Sequence, residues 1–104
     1  MIYHCCDQLR RNAVDAHATL NGIDYLEVVD NDAPAFELRQ LTLLVRLLKP
    51  VPASLTRSNV RIEGGERVRD IGIEWVAPAS VPPASTSAAE QALYAALPER
   101  DHVL

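Results

Sequence analysis

"LRQLTLLVRLLKP", residues Leu38 to Pro50, is the most apolar segment of the 104-residue chain, and its reading decides the fold. Helix and strand compete for it. Leu41, Leu43, Val45 and Leu47 alternate with Thr42, Leu44, Arg46 and Leu48. That is a period of two, which suits a strand and not a helix. Pro50 and Pro52 then stop the segment cleanly, since proline has no N–H to give to a ladder. The pattern predicts a central strand over Leu41 to Leu48, buried on one face and half covered on the other.

On the N-terminal side, "DQLRRNAVDAH" from Asp7 to His17 suits a helix. Asp7 can cap it, and Leu9, Ala13, Ala16 and Leu20 recur near helical spacing. Asn21-Gly22 is a turn signal, after which Ile23, Tyr25 or Leu26, and Val28 form a half-buried strand. "NDAPAFE" is a loop. On the C-terminal side, "VPASLTRSN" is a connection with Leu55 as an inward anchor. "NVRIE" is a strand with Val60 and Ile62 inward, and "RVRDIGIEWV" returns with Ile71, Ile73 and Trp75 on one face. Val68 is out of phase with that set, which a bulge near Arg69-Asp70 would correct. "APASVPPASTSAA" is too rich in proline for a central strand. "AEQALYAALPE" is a short helix with Ala92, Leu93, Ala96 and Leu97 on one side, ended by Pro98. "DHVL" reads as the beginning of a further strand.

Several short strands separated by turn signals, with few helices, predict a mainly β fold. The expected architecture is an immunoglobulin-like β-sandwich, with one short helix near each end of the chain. Such a sandwich needs about seven strands, and fewer are visible, so it is expected to be incomplete. The expected organisation is an N-terminal arm and helix over residues 1–20 and an immunoglobulin-like domain over 21–104. That domain carries a Pro/Ala/Ser loop at 77–89 and is cut short at its C-terminus.

The chain is 48% hydrophobic and 23% charged, which can fill one modest core. Its net charge of −4 argues against nucleic acid as the main partner. No apolar run is long enough to span a bilayer, so no membrane insertion is expected. The start "MIYHCCDQLRR" lacks the basic and apolar regions of a signal peptide. A cytoplasmic location follows, with Cys5 and Cys6 reduced.

Candidate chemistry is sparse. Gly64-Gly65 could cradle a phosphate, but Glu63 and Glu66 flank the pair, no Lys-Ser/Thr follows, and the next segment reads as a strand. A hairpin turn between two alternating runs is the better reading. His4, Cys5, Cys6 and Asp7 are all possible metal ligands, with His17 and His102 as further candidates. Adjacent residues do not readily face one ion, so the spacing argues against a metal site. A Cys nucleophile with His17 and Asp15 has no supporting motif, and no G-x-S-x-G occurs. Glu63, Glu66 and Glu74 fall on solvent faces. Trp75, the single Trp, reads as core at a strand end, with an interface anchor as the alternative. No catalytic, cofactor-binding or metal residue is expected.

Three stretches taken together carry a resemblance: "CCD", "LNGIDYLEV" and "NVRIEGGER", in that order and at this spacing. The chain resembles the start of large baseplate assembly proteins of phage-tail-like contractile injection systems. These are similar to the wedge component of contractile tails, the baseplate J family. The resemblance implies a structural part that works through protein–protein contacts and not catalysis, without cofactors. The implied partners are wedge, hub and sheath-initiating components and further copies of the chain, and the implied place is a phage-tail-like particle assembled in the cytoplasm. It also implies that these residues are the N-terminal portion of a longer protein. Without the resemblance, the residues alone leave open a free-standing immunoglobulin-like binding module.

Overall fold

A computed structural model of the chain describes residues 2–4, 7–63, 67 and 71–104, with residues 2–4 as backbone only. In chain order the regular elements are β1 (Ile2–His4), α1 (Gln8–Ala16), β2 (Ile23–Val28), β3 (Leu43–Leu47) and α2 (Ala88–Ala95). Short 3-10 turns occur at Phe36–Leu38, Arg57–Asn59 and Arg100–His102. The strands form one antiparallel sheet in the order β1-β2-β3.

The decisive segment is a strand, as its period of two requires. β3 pairs with β2 from Val28↔Leu43 to Ile23↔Leu47. Its other side is also occupied. The Val45 N–H donates to the Leu104 carbonyl and the Leu104 N–H to the Val45 carbonyl, both at 2.9 Å, and Arg46 bridges Val103. The Ala79 N–H then donates to the Val103 carbonyl at 2.8 Å. The C-terminal residues therefore extend the sheet beyond β3.

The ladder between β2 and β3 slips between Ile23 and Tyr25, which pair with Leu47 and Arg46 respectively. Asp24 is the extra residue. A bulge re-aims a side chain, and here the Asp24 carboxylate takes two guanidinium hydrogen bonds from Arg11 of α1, at 2.9 and 3.2 Å.

α1 begins at Asp7, whose Oδ1 accepts from the Arg10 N–H at 3.0 Å. At its other end the Lys49 ammonium donates to the carbonyls of Val14 at 3.1 Å and Leu20 at 2.6 Å, and to that of His17. The Val14 carbonyl also accepts from the His17 N–H at 3.1 Å, those of His17 and Leu20 lie beyond the helix, and a cation there meets the negative end of the helix dipole. Asn21 completes the clasp: its side chain accepts from the Lys49 N–H at 3.0 Å and donates to the carbonyls of Lys49 and Pro50. Gly22 is needed for closeness rather than for its backbone angles. A Cβ there would lie 3.3 Å from Val14 Cγ1 and 3.6 Å from Leu48 Cδ1.

α2 starts with a capping box. Ser87 Oγ accepts from the Glu90 N–H, and the Glu90 carboxylate accepts from the Ser87 N–H at 2.8 Å. Its inward stripe is Glu90, Leu93, Tyr94 and Leu97, whereas Ala92 and Ala96, expected inward, are exposed. Tyr94, Leu44, Val29, Ala79 and Val103 are the buried apolar residues among those described, with Ala33, Leu93 and Leu97 packed against them.

The expected immunoglobulin-like β-sandwich is overturned. Among the described residues there is a single sheet, and no second sheet lies over it. The helices, nine and eight residues long, outweigh strands of three, six and five, so the mainly β expectation also lacks support. The physical reason lies in how the sheet is covered. Tyr94 and its neighbours on α2 bury Leu44, a role that a second sheet fills in a sandwich. Pro78, Pro82 and Pro83 keep the preceding segment out of a ladder. The expected return strand is irregular from Ile71 to Pro78, and Ile71 and Trp75 are both partly exposed. Gly64, Gly65 and Glu66, the turn of the expected hairpin, lie outside the described residues, as do Val68, Arg69 and Asp70.

Candidate functional site

The residues with chemical potential are dispersed. Cys5 and Cys6 lie outside the described residues. His4 belongs to β1, where its backbone pairs with Tyr25. Asp7 is a helix cap. The Nδ1 of His17 accepts backbone N–H groups from Thr19 at 3.2 Å and Leu20 at 3.1 Å, closing the turn after α1. Asp15 and Glu74 are exposed, and Glu63 lies 3.4 Å from Arg61 on an exposed face. Among the described residues no three His, Cys, Asp or Glu side chains gather as a metal site would need.

One charged cluster was not anticipated. Arg46 of β3, whose side chain is 14% exposed, donates to the Pro98 carbonyl at 2.8 Å and to the Glu99 carboxylate at 2.9 Å. The same carboxylate lies 3.7 Å from Nδ1 of His102. Glu99 has a φ of 45°, in the left-handed region that a side chain resists by about 1–2 kcal/mol. The corner it makes lets Val103 and Leu104 lie alongside β3. The cavity behind Arg46 has a volume of about 10 Å³, room for about one water. It is a structural joint and too small for a substrate.

A second cleft, of about 20 Å³, is lined by Leu43, Trp75, Pro78, Pro82 and Leu104, with Leu44 and Tyr94 at its floor. None of its lining residues is charged. Trp75 is 36% exposed there, so it is neither core nor fully displayed. The Tyr94 hydroxyl lies near the Thr42 side chain. Burial raises its pKa above the ordinary value, the Thr42 side chain opposes this, and the nearby Glu90 carboxylate adds to it.

Beside the cleft stands the loop joining β2 to β3. The Val29 N–H donates to the Thr42 carbonyl at 3.0 Å, and the Gln40 N–H to the Val29 carbonyl at 2.8 Å, closing its base. The loop displays Phe36, 79% exposed, and Leu41, 72% exposed, with the Arg39 guanidinium 5.2 Å over the Phe36 ring. Phe36, Arg39 and Arg46 were not singled out from the sequence. The available signal was a lone Phe placed among Asp, Asn and Pro, where a loop has no core to put it in.

The accessible surface is 7673 Å² for an 11.4 kDa chain, against about 5,800 Å² for a folded monomer of that mass. Among the described residues, the large apolar side chains of Phe36, Leu41 and Val81 lie open on that surface.

Comparison with known proteins agrees in kind. The family described as phage baseplate assembly protein, N-terminal domain, matches residues 1–102, nearly the whole chain. The chain belongs to that family. No curated protein and no solved structure matches it.

Proposed function

We propose, from membership of that baseplate family, that the chain is a structural component of the baseplate of a contractile phage-tail-like injection system. It acts through protein–protein contacts during baseplate assembly and not by catalysis. The observation that carries this reading is the family match over residues 1–102. Exposed Phe36, Leu41, Trp75 and Val81 support it, because large apolar side chains left open mark interaction sites. The two small clefts also support it, since neither has the volume of a small-molecule site. The partners in this reading are wedge, hub and sheath-initiating components, and the assembled place is a tail-like particle formed in the cytoplasm. No helix among the described residues is long and apolar enough to cross a membrane.

The test is assembly. An epitope on the protein carrying this chain is expected to co-purify with intact particles and to label the baseplate end by electron microscopy. Deleting the gene is expected to leave tubes or sheaths without baseplates. Complete particles from the deletion strain would sink the proposal.

A further inference from the structure

We propose that α1 is a latched strap, which lifts from the body as one unit while β2 and β3 stay paired. Its tethers permit this. β1 pairs antiparallel with β2, His4 opposite Tyr25 and Ile2 opposite Glu27, so the ladder anchors the chain on both sides of the helix. α1 lies where β2 begins and β3 has ended, against Gly22, Asp24 and Lys49. It is turned the wrong way for permanent burial. None of its residues is buried, and only Arg11 and Val14 are half-buried. The stripe that its sequence would bury, Leu9, Ala13 and Ala16 with Leu20 beyond, is exposed instead. A surface helix ordinarily owes its stability to an apolar face set on the core.

Polar contacts hold α1 at two points. Toward its start, Arg11 gives the Asp24 carboxylate two guanidinium hydrogen bonds, at 2.9 and 3.2 Å. At its end, the Lys49 ammonium holds the carbonyls of Val14 and Leu20, at 3.1 and 2.6 Å. Val14 makes an apolar contact between them, and Gly22 beneath it has no side chain to add. A hydrogen bond weakens steeply once stretched or bent, so a small outward rotation of the helix releases both points. The body loses little by this. The ladder of β2 with β3 and the apolar cluster around Leu44 include no residue of α1. A helix of nine residues does not persist alone in water, where even about 12–15 are marginal, so α1 unwinds whenever it lifts. Lifting frees Arg11 and Val14 to join the exposed stripe and uncovers Asp24 and Lys49.

Lifting needs no other chain, so its test is independent of whether the protein enters a baseplate. The measurement is native-state hydrogen exchange of the 104-residue chain. Each rate is taken relative to the Val45 amide, which bonds to Leu104 in the body. The amides from Arg11 to His17 are expected to share one opening rate, at least about tenfold faster than that of Val45. Asp24→Asn removes a charge without removing volume. It is expected to quicken the whole set at least about threefold relative to Val45, His17 at the far end included. Raising salt from about 0.05 M to about 1 M should act in the same direction. A rate for α1 equal to that of Val45, a gain confined to the residues around Arg11, or a set indifferent to Asp24→Asn would overturn the proposal.

Discussion

Arg46 shows how much one side chain can carry in a fold with few buried residues. It sits in an otherwise aliphatic strand, and the period of two places it on the face with Leu44. Most of its side chain is covered, and its guanidinium meets a carbonyl and a carboxylate of the C-terminal corner. Hydrogen bonds from charged groups contribute about 1.5–3 kcal/mol. Arg46→Met is therefore expected to lower stability in urea by about 1–3 kcal/mol. Glu99→Gln should cost less than about 1 kcal/mol, because that carboxylate is 64% exposed. Equal losses from the two would contradict the role given to the Pro98 carbonyl. Tyr94 makes a second prediction, in pH. Its pKa is raised above 10.0 in the folded chain, chiefly by burial. Below pH 10 both states hold the proton and the group adds no pH dependence. Above it the unfolded chain releases the proton first, so stability falls as pH rises toward the folded value. Tyr94→Phe removes that fall. Urea titrations of both proteins between pH 8 and 11 check the sign.

At the scale of elements, local chemistry was legible where it is written in consecutive residues. Asp7 caps α1, the alternation from Leu41 to Leu48 gives β3, and Ile23 to Val28 gives β2. Less legible was anything set by partners distant in the chain. The inward stripe of α2 is Glu90, Leu93, Tyr94 and Leu97 because the helix meets Leu44 and Val103. Nothing within "AEQALYAAL" says which side will do so. The Asp24 bulge answers to Arg11, thirteen residues earlier, and the Lys49 clasp answers to carbonyls on α1. Both helix-end devices are testable. Ser87→Ala is expected to cost about 1 kcal/mol, as the loss of an N-cap does. Lys49→Met is expected to cost about 1–3 kcal/mol by leaving its acceptor carbonyls without their cation. Lys49→Met should also speed amide exchange near residues 17–22 more than elsewhere, whereas uniform acceleration would mean that the clasp acts only through global stability.

For the whole molecule, composition suggested one modest core and the structure explains why it is modest. The sandwich was inferred from strand-like segments, but a segment becomes a strand only when a neighbour completes its ladder. Residues 71–78 find no such neighbour among those described. What remains is a single sheet, a helix over Leu44, and wide open surface. The radius of gyration of 14.3 Å exceeds the ~13 Å usual for this length. Among the described residues no large side chain is fully buried. Stability must then be concentrated in the cluster of Val29, Leu44, Ala79, Tyr94 and Val103, with little elsewhere to compensate for a loss. Leu44→Ala removes apolar volume at its centre and is expected to cost about 2–5 kcal/mol. That is a large share of the ~5–15 kcal/mol typical of whole domains. The variant should lose most of its cooperative urea transition. Leu9→Ala, at an 83% exposed position on α1, should stay within about 0.5 kcal/mol of the parent. If the two leucines prove equally costly, the stabilising packing of this chain lies outside the Leu44 cluster. A large loss at Leu44 alone places it under α2, leaving the open apolar residues to contribute through contacts with other chains.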